Sequence, residues 1–383
     1  MERESQLVER IARELTYGFT LSSTARPSSG RPAISHRSRR HPFMVGSTDL
    51  RLGIGDDAAI ISPRSGTEWV LTCDAFLEGV HFLARTHPPD SIGYKSLVRA
   101  TSDLAAMGAA PRFFLLTLAL PQRAIDAIGV RQGKALAVPK SKKYSGASAP
   151  GVWLNQFLRG MARAAQELGV VIIGGDTTKS DHVFISVTAL GEIARGRALT
   201  RSGAQPGDLI YVSGKLGRAQ LGLELVLSGL ASDPRFRAAT KTHLYPKIRV
   251  ELGRWLARQR AASSAMDISD GLSTDLARLS TASQVGAKIW ADKIPVVAIP
   301  AAASKKLSNR NLDPLQLALH GGEDYELLFT VPPHQVKKLR NAPGSSALTP
   351  IGEITSTRKI ILVDHDGRDQ PLKPGGWNPF RTS

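Results

Sequence analysis

The chain has 383 residues, which is enough for roughly two domains of ordinary size. Its 42% hydrophobic and 22% charged residues are typical of a globular protein, and no apolar run approaches the roughly 20 residues that a membrane span needs. One cysteine, Cys73, excludes an intrachain disulfide and a multi-cysteine zinc site. The N-terminus lacks a signal-peptide core, so a cytoplasmic enzyme fits these observations.

The net charge of +17 raises the question of nucleic-acid binding. Two stretches, residues 20–46 and 122–149, together contribute +10 of that charge. Both are rich in Ser, Gly, Pro and Ala, which indicates solvated surface insertions. Neither carries a series of aromatic residues on which bases could stack, so a nucleic-acid partner is the less favoured interpretation.

The hydrophobic pattern of the first half alternates between helical and strand periods. A short amphipathic helix is predicted near the N-terminus, and a strand is expected to place Asp74 at its end. Another strand is expected to end on a Gly-Gly-Asp turn at residues 174–176. The predicted helices are residues 6–17, 91–107 and 157–168, and the predicted strands are 69–72, 113–120, 170–173 and 183–193.

A polar segment that ends in Pro206-Gly207 indicates a domain boundary near residues 195–206. Beyond it we predict strands at 209–212, 325–331 and 359–363 and a helix at 219–227. A further helix begins after Gly271, with Leu272, Leu276 and Leu279 on one stripe. Strands and helices mix throughout, which predicts an α/β (α+β mixed) protein of two domains, 1–196 and 197–383.

Six short acidic motifs are spread along the chain, each near the end of a predicted element. Carboxylates gathered without a cation would repel one another and any phosphate, whereas Mg²⁺ binds carboxylates, waters and substrate phosphates. The pattern therefore indicates metal-assisted phosphoryl transfer. The motifs are residues 55–57, 72–74, 102–104, 174–176, 267–271 and 321–324.

Some of these motifs also have a structural explanation. Gly and Asp favour turns, so residues 55–57 could be a plain turn, and Asp270 before Gly271 could cap a helix. Asp267 lacks that explanation, because it ends an apolar strand where an unpaired carboxylate is costly. The two glycines before Asp176 allow the backbone to approach a phosphate closely. A P-loop and the protein-kinase motifs are both absent from the sequence.

Seven segments keep one order from about Gly53 to the C-terminus: residues 55–58, 74 with 78–82, 102–108, 174–178, 197–203, 267–272 and 321–326. Together they resemble the thiamine-monophosphate kinase family of the aminoimidazole-ribonucleotide-synthetase-like superfamily. The resemblance implies an N-terminal domain whose sheet dimerises into a barrel and a C-terminal α/β domain that closes over the site. The stretches 20–46 and 129–152 are insertions relative to the family's usual spacing.

The family's activity implies γ-phosphoryl transfer from ATP to thiamine monophosphate in a homodimer, with several Mg²⁺ ions and no acid or base residue. By resemblance, the expected metal ligands are Asp57, Thr72, Asp74, Asp103, Asp176, Asp267 and Asp270. The expected ATP contacts are Gly175, Asp176, Arg201 and Ser269. The expected contacts to the thiamine substrate are His81, Glu323 and Trp377.

Two departures from the family pattern affect this expectation. Cys73 stands where the family often has a threonine that gives an oxygen to the metal, and sulfur is poorly suited to Mg²⁺. Asn378-Pro379 replaces the usual Asp-His after the tryptophan.

Three alternative functions remain. One is a ligase of the aminoimidazole ribonucleotide synthetase type, and another is a non-catalytic nucleic-acid-binding protein. Selenophosphate synthetase is less favoured because its reactive N-terminal cysteine is missing.

Overall fold

The structure, a computed structural model, describes residues 10–15, 50–54, 58–122, 150–310, 312–378 and 380. The predicted loop at 20–46, residues 129–149 of the second insertion and the Gly55–Asp57 motif lie outside these ranges. The chain divides into two compact units. The first comprises residues 1–66, 73–97 and 112–189, and the second comprises 67–72, 98–111 and 190–383.

The elements of the first half are α1 (10–15), β1 (Leu50–Leu52), β2 (Ile60–Ile61), β3 (Thr67–Leu77), α2 (Pro89–Ala106), β4 (Ala110–Leu120), α3 (Pro150–Leu168), β5 (Val171–Lys179) and β6 (Phe184–Ala194).

Those of the second half are β7 (Leu209–Val212), α4 (Arg218–Leu227), α5 (Arg237–Leu244), α6 (Val250–Gln259), β8 (Ser264–Asp267), α7 (Leu272–Ser283), β9 (Gly286–Trp290), α8 (Ala301–Lys306), α9 (Pro314–His320), β10 (Leu327–Val331), β11 (Thr349–Thr355), β12 (Ile360–Val363) and β13 (Asp369–Pro371). Mixed strands and helices are thus confirmed.

Strands β3, β6, β4 and β5 form a four-stranded sheet in that order. The expected turn at the Gly-Gly-Asp motif is wrong, because β5 continues through it in parallel pairing with β4. One extra residue on β5 makes a bulge, and Gly175 follows with a φ of 153°. A Cβ there would lie 1.9 Å from the Leu116 carbonyl oxygen, so glycine alone lets the strand continue.

Two further elements of the first half run longer than predicted. Strand β3 does not end at Asp74 but continues to Leu77, because Phe76 adds another buried position, 2% exposed. Helix α3 begins at Pro150 rather than at residue 157. Its fully buried residues Leu154, Phe157 and Met161 keep one helical stripe through the extra turns.

The second unit is built on a seven-stranded sheet in the order β13-β12-β9-β11-β7-β10-β8. Strands β9 and β12 pair in parallel, and the other neighbours pair antiparallel. The predicted stripe on α7 is confirmed, since Leu272, Leu276 and Leu279 are all 0% exposed in the core below this sheet. The edge strand β8 ends at Asp267, which pairs with Leu327 of β10.

An ion pair with a buried carboxylate fixes the start of β10. Glu326 is 6% exposed and accepts two hydrogen bonds from the Arg249 guanidinium, both of 2.6 Å. It also accepts a 2.5 Å hydrogen bond from the Ser213 hydroxyl. These donors compensate the buried carboxylate and hold the segment that precedes β10. No helix in the described part of the chain is long and apolar enough to span a membrane.

Candidate active site

Two of the expected metal ligands interact in the second unit. Asp267 is 3% exposed and accepts a 2.7 Å hydrogen bond from the Ser102 hydroxyl. The next residue on α2, Asp103, accepts a 2.5 Å hydrogen bond from the Thr72 hydroxyl. Burial raises the pKa of Asp267, and the negative charge of Asp103 raises this pKa further. Two hydroxyls therefore orient two carboxylates whose mutual repulsion a divalent cation would relieve.

This donor set fits Mg²⁺, which prefers carboxylate and hydroxyl oxygens over nitrogen or sulfur. Asp103, Asp267 and Asp270 belong to the second unit, whereas Asp74 and Asp176 belong to the first. The remaining expected ligand, Asp57, lies outside the described residues. Within the described ranges, no three His, Cys, Asp or Glu side chains gather closely enough to hold a metal ion.

The turn that follows β8 carries Ser269 and Asp270, and a buried acid holds it. Asp275, 0% exposed on α7, accepts 3.0 Å hydrogen bonds from the backbone N–H groups of both residues. The Arg278 guanidinium bonds to the carboxylates of both Asp270 and Asp275. Burial outweighs these donors and raises the pKa of Asp275 to about 6. The alternative explanation of Asp270 as a helix cap is wrong, because the N-cap of α7 is Gly271 and no side chain caps this helix.

Glu323 lies in a strained segment beside this turn. Its φ is 69°, and that of Tyr325 is 50°, both in the left-handed region that non-glycine residues rarely adopt. The Glu323 N–H donates a 2.8 Å hydrogen bond to the Ser269 carbonyl. Its carboxylate oxygen lies 3.2 Å from Nδ1 of His243, a side chain that is 1% exposed. The Glu323 side chain is thus held by His243 of α5, while its backbone is held by the Ser269–Asp270 turn.

Asp324, which lies between Glu323 and Tyr325, holds the beginning of α4. Its carboxylate accepts hydrogen bonds of 2.6 and 2.9 Å from the backbone N–H groups of Gly217 and Ala219. The helix N-terminus attracts a negative charge. Burial nevertheless dominates and raises the pKa of Asp324 to about 7.

The C-terminal segment is hydrogen-bonded to the Ser269–Asp270 turn and to the beginning of α7. The N–H groups of Gly375 and Gly376 donate 3.1 Å hydrogen bonds to the Ser273 and Thr274 hydroxyls. The Trp377 N–H donates a 3.0 Å hydrogen bond to the Asp270 carbonyl. A Cβ on Gly376 would lie 1.9 Å from that carbonyl oxygen, so the approach requires glycine. Trp377 is thereby fixed by its backbone while its indole stays 42% exposed.

The Trp377 indole borders a cavity of about 480 Å³. This volume lies in the range of small-molecule sites, about 300–1,000 Å³. Two acids, Glu224 and Asp313, contribute to its lining. Glu224 accepts a 3.1 Å hydrogen bond from Gln220, and its other oxygen lies 3.3 Å from the Arg310 guanidinium. An aromatic wall with carboxylates nearby suits a flat, cationic ligand.

The remaining expected residues of the first unit lie on or beside its sheet. Asp74 is half-buried in the middle of β3, and Asp176 is exposed on β5 opposite Thr117 of β4. His81 accepts a 3.1 Å hydrogen bond from the Leu77 N–H to its Nδ1, which fixes the ring. Cys73 is exposed, with its sulfur 3.4 Å from the Ser186 hydroxyl.

In the second unit, the positive charge of Arg201 acts on Asp267, where it opposes the rise in the pKa of that carboxyl. The structure therefore brings an expected ATP contact into electrostatic reach of an expected metal ligand.

The sequence reasoning missed Asp275, Arg278 and His243. A signal for Asp275 was present, because an acid three residues after Leu272 and four before Leu279 lies on the apolar stripe of α7. An acid at such a position needs buried donors. His243 gave no comparable local signal, since its partner Glu323 lies far along the chain.

Comparison with known families defines the class of the protein. The AIR synthase related protein N-terminal domain matches residues 55–193, and the C-terminal domain of the same family matches residues 205–365. Together they span more than half of the chain, so it belongs to the AIR synthase related proteins with their two-domain mixed α/β fold.

Individual relatives narrow this class. Thiamine-monophosphate kinase from Synechococcus elongatus is 35% identical over 334 residues, 86% of this chain and 91% of the relative. The crystal structure of thiamine-monophosphate kinase from Stenotrophomonas maltophilia is 34% identical, with a TM-score of 0.68 over 85% of this chain and 93% of that one. The solved complex of AaThiL with AMPPCP and TMP is 31% identical, with a TM-score of 0.66 over 85% and 92% of the two chains. The chain belongs to the thiamine-monophosphate kinase family.

Proposed function

We propose that the chain transfers the γ-phosphate of ATP to the phosphate of thiamine monophosphate, which yields ADP and thiamine diphosphate. The observation that carries this proposal is the oriented Asp103–Asp267 carboxylate pair in a chain of this family. One bond from the γ-phosphorus to the ADP oxygen breaks, and one bond from that phosphorus to an oxygen of the acceptor phosphate forms. The acceptor oxygen is already ionised, so the site needs no general base.

Catalysis then consists of alignment and neutralisation of charge. Mg²⁺ ions, when bound, supply the positive charge that brings two phosphate-bearing substrates together. Thr72 and Ser102 orient the carboxylates of Asp103 and Asp267, which would hold such ions together with Asp270. The proposed ligand set is completed by Asp57, Asp74, Asp176 and the hydroxyl oxygen of Thr72.

The nucleotide side of the site is proposed at Gly175, Asp176, Arg201 and Ser269. Support for Gly175 comes from its exposed position on β5, directly before Asp176, which is exposed as well. Support for Arg201 comes from its electrostatic effect on Asp267, since a guanidinium near metal ligands is placed to meet phosphate oxygens. Support for Ser269 comes from its position next to Asp270.

The thiamine moiety is proposed to bind at Trp377, with contacts from Glu323 and His81. A positively charged thiazolium ring gains from the face of an indole and from nearby carboxylates. The exposed Trp377 and the Asp313 carboxylate support this assignment, whereas the charge of Glu224 is matched by Arg310, which lines the same cavity. The fixed backbone of Trp377 favours it further, because a preorganised aromatic wall loses little entropy on binding.

We further propose a homodimer formed by the sheet of the first domain, with a domain boundary between residues 196 and 197. Support for the dimer comes from β3, where Leu71 is 62% exposed and neighbours along the same face include Trp69 and Cys73. An apolar sheet face of this kind is covered by a second copy in many dimers. Support for the boundary comes from the two matched regions, which leave residues 194–204 between them. We also propose that the enzyme acts in the cytoplasm, because its co-substrate ATP is available there.

The test is an incubation of the purified chain with ATP, Mg²⁺ and thiamine monophosphate, followed by chromatography for thiamine diphosphate. We expect product with thiamine monophosphate and none with unphosphorylated thiamine, which lacks the acceptor phosphate. Asp103→Asn is expected to reduce product at least 100-fold, and Asp366→Asn, a change at a side chain that is 67% exposed, is the matched control. Absence of product from the folded wild-type protein at saturating Mg²⁺ would refute the proposal.

A further inference from the structure

In the turn that follows β8, both the N–H groups and the carbonyl groups of the backbone are hydrogen-bonded. The N–H groups of Ser269 and Asp270 donate to one oxygen of Asp275, each at 3.0 Å. The carbonyl of Ser269 accepts from the Glu323 N–H at 2.8 Å, and that of Asp270 accepts from the Trp377 N–H at 3.0 Å. Ser269 is a proposed ATP contact and Asp270 a proposed metal ligand. Their backbone groups are therefore bonded directly to Glu323 and Trp377, two of the proposed contacts to the acceptor.

Asp275 is unusual because it is an acidic residue at a buried position. Its side chain is 0% exposed on α7, at the level of the fully buried Leu272 and Leu276. A buried carboxylate is costly unless hydrogen bonds compensate it. Here the compensation comes from the two turn N–H groups and from the Arg278 guanidinium, 2.8 Å from its second oxygen. Because Arg278 also contacts the Asp270 carboxylate, this pair fixes both the backbone and the side chain of the metal-ligand residue.

We propose that Asp275 is a positioning residue that fixes the ATP and metal side and the acceptor side of the active site together, through the Ser269–Asp270 turn. This role rests on the proposed function for the identity of the two ligands. If the turn loses its N–H partners, the carbonyls that orient Glu323 and Trp377 move with it. Loss of Asp275 therefore affects both substrates, although the side chain contacts neither of them.

The test uses the full chain and the variants Asp275→Ala and Asp275→Asn. Calorimetry measures the dissociation constants of thiamine monophosphate and of a non-hydrolysable ATP analogue, each with Mg²⁺. We expect Asp275→Ala to weaken both by roughly 10- to 100-fold, the effect usual for residues that orient metal ligands. Asp275→Asn keeps one oxygen acceptor and the side-chain shape, so it is expected to show a smaller loss in the same two constants.

Hydrogen exchange provides a readout that needs no substrate. In Asp275→Asn we expect faster exchange in peptides that contain the N–H groups of Ser269, Asp270, Glu323 and Trp377. The central strands β7 and β10 are expected to keep their protection, whereas a merely structural role would lower protection across the whole unit.

Asp208→Ala is the matched control. Asp208 is another buried acid, 4% exposed, that accepts a 2.9 Å hydrogen bond from the Gln205 N–H and a 2.5 Å bond from the Ser263 hydroxyl. It holds a different turn, so its loss is expected to lower the melting temperature without changing either dissociation constant. Equal weakening in this control, or weakening of only one ligand in Asp275→Ala, would overturn the role of Asp275.

The two proposals fail in different ways. If the wild-type chain neither binds nor phosphorylates thiamine monophosphate, the proposed function is wrong, and the exchange experiment alone then decides whether Asp275 fixes the turn. Unchanged exchange in those peptides of Asp275→Asn would overturn the positioning role even in an active kinase.

Discussion

The stability of the protein should depend on pH through Asp324, and Asp324→Asn measures the effect. Burial raises the pKa of Asp324 to about 7, against an ordinary value of 3.8 for an exposed carboxyl. Between these two values the folded state keeps a proton that the unfolded state has released. The folded protein therefore loses stability as the pH rises through this window, in contrast to an acid whose pKa folding lowers.

The size of the effect follows from the shift. One pKa unit corresponds to about 1.36 kcal/mol, so the full window amounts to about 4 kcal/mol. Most of it, roughly 2–3 kcal/mol, falls between pH 5 and pH 8. The asparagine of the variant cannot ionise, and its amide oxygen can still accept from the N–H group of Gly217 or Ala219. The variant should consequently gain stability relative to the wild type as the pH rises.

Urea unfolding of both proteins at half-unit steps from pH 5 to pH 8 checks this expectation. The difference between variant and wild type removes the contribution of the titrating groups that Asp324 does not influence. Thr330→Val is the control, because Thr330 is 0% exposed and its hydroxyl bonds to the neutral hydroxyls of Ser263 and Ser264. The loss of unfolding free energy in Thr330→Val should be the same at each pH. A difference between Asp324→Asn and wild type that stays flat across the range would refute the reasoning.

Three further predictions concern the site and its support. Asp103→Asn should reduce turnover at least 100-fold with little change in melting temperature, because the amide loses the charge that a cation needs; near-normal turnover at saturating Mg²⁺ would contradict this. Trp377→Ala should raise the Michaelis constant for thiamine monophosphate by about 2- to 30-fold, the equivalent of 0.5–2 kcal/mol of cation–π attraction, and leave that for ATP unchanged. Trp377→Phe should recover part of the loss, whereas a fall in melting temperature without a change in either constant would make the residue structural. Arg249→Met should lower the free energy of unfolding by about 2–3 kcal/mol in denaturant titrations, because it leaves the Glu326 carboxylate without its bidentate partner. Adding Glu326→Gln should restore part of that loss, and no recovery would argue against an unpaired charge as the cause.

Local pattern was sufficient for much of this protein. Strand β7 has the predicted bounds, and the stripe of leucines on α7 is buried as its spacing indicates. The order of the acidic motifs also identified the family that the comparisons confirm. These features are readable because helical and strand periods, and the residue types of a motif, are encoded within a few neighbouring positions. The assignment of individual ligands to those motifs stays a prediction, including Asp57 in the part of the chain that is not described.

The hydrogen-bond partners were decided only by the tertiary structure. The sequence favoured a turn at Gly175, yet β5 continues through it in pairing with β4, because a residue without a Cβ fits beside the Leu116 carbonyl. Likewise, Asp270 was weighed as a helix cap or a metal ligand without reference to Asp275, which holds its backbone. Trp377 meets the Asp270 carbonyl across more than a hundred residues of chain. A sequence records which groups must be satisfied when they are buried, but the choice of partner depends on which distant segments the folded sheet brings within about 3 Å.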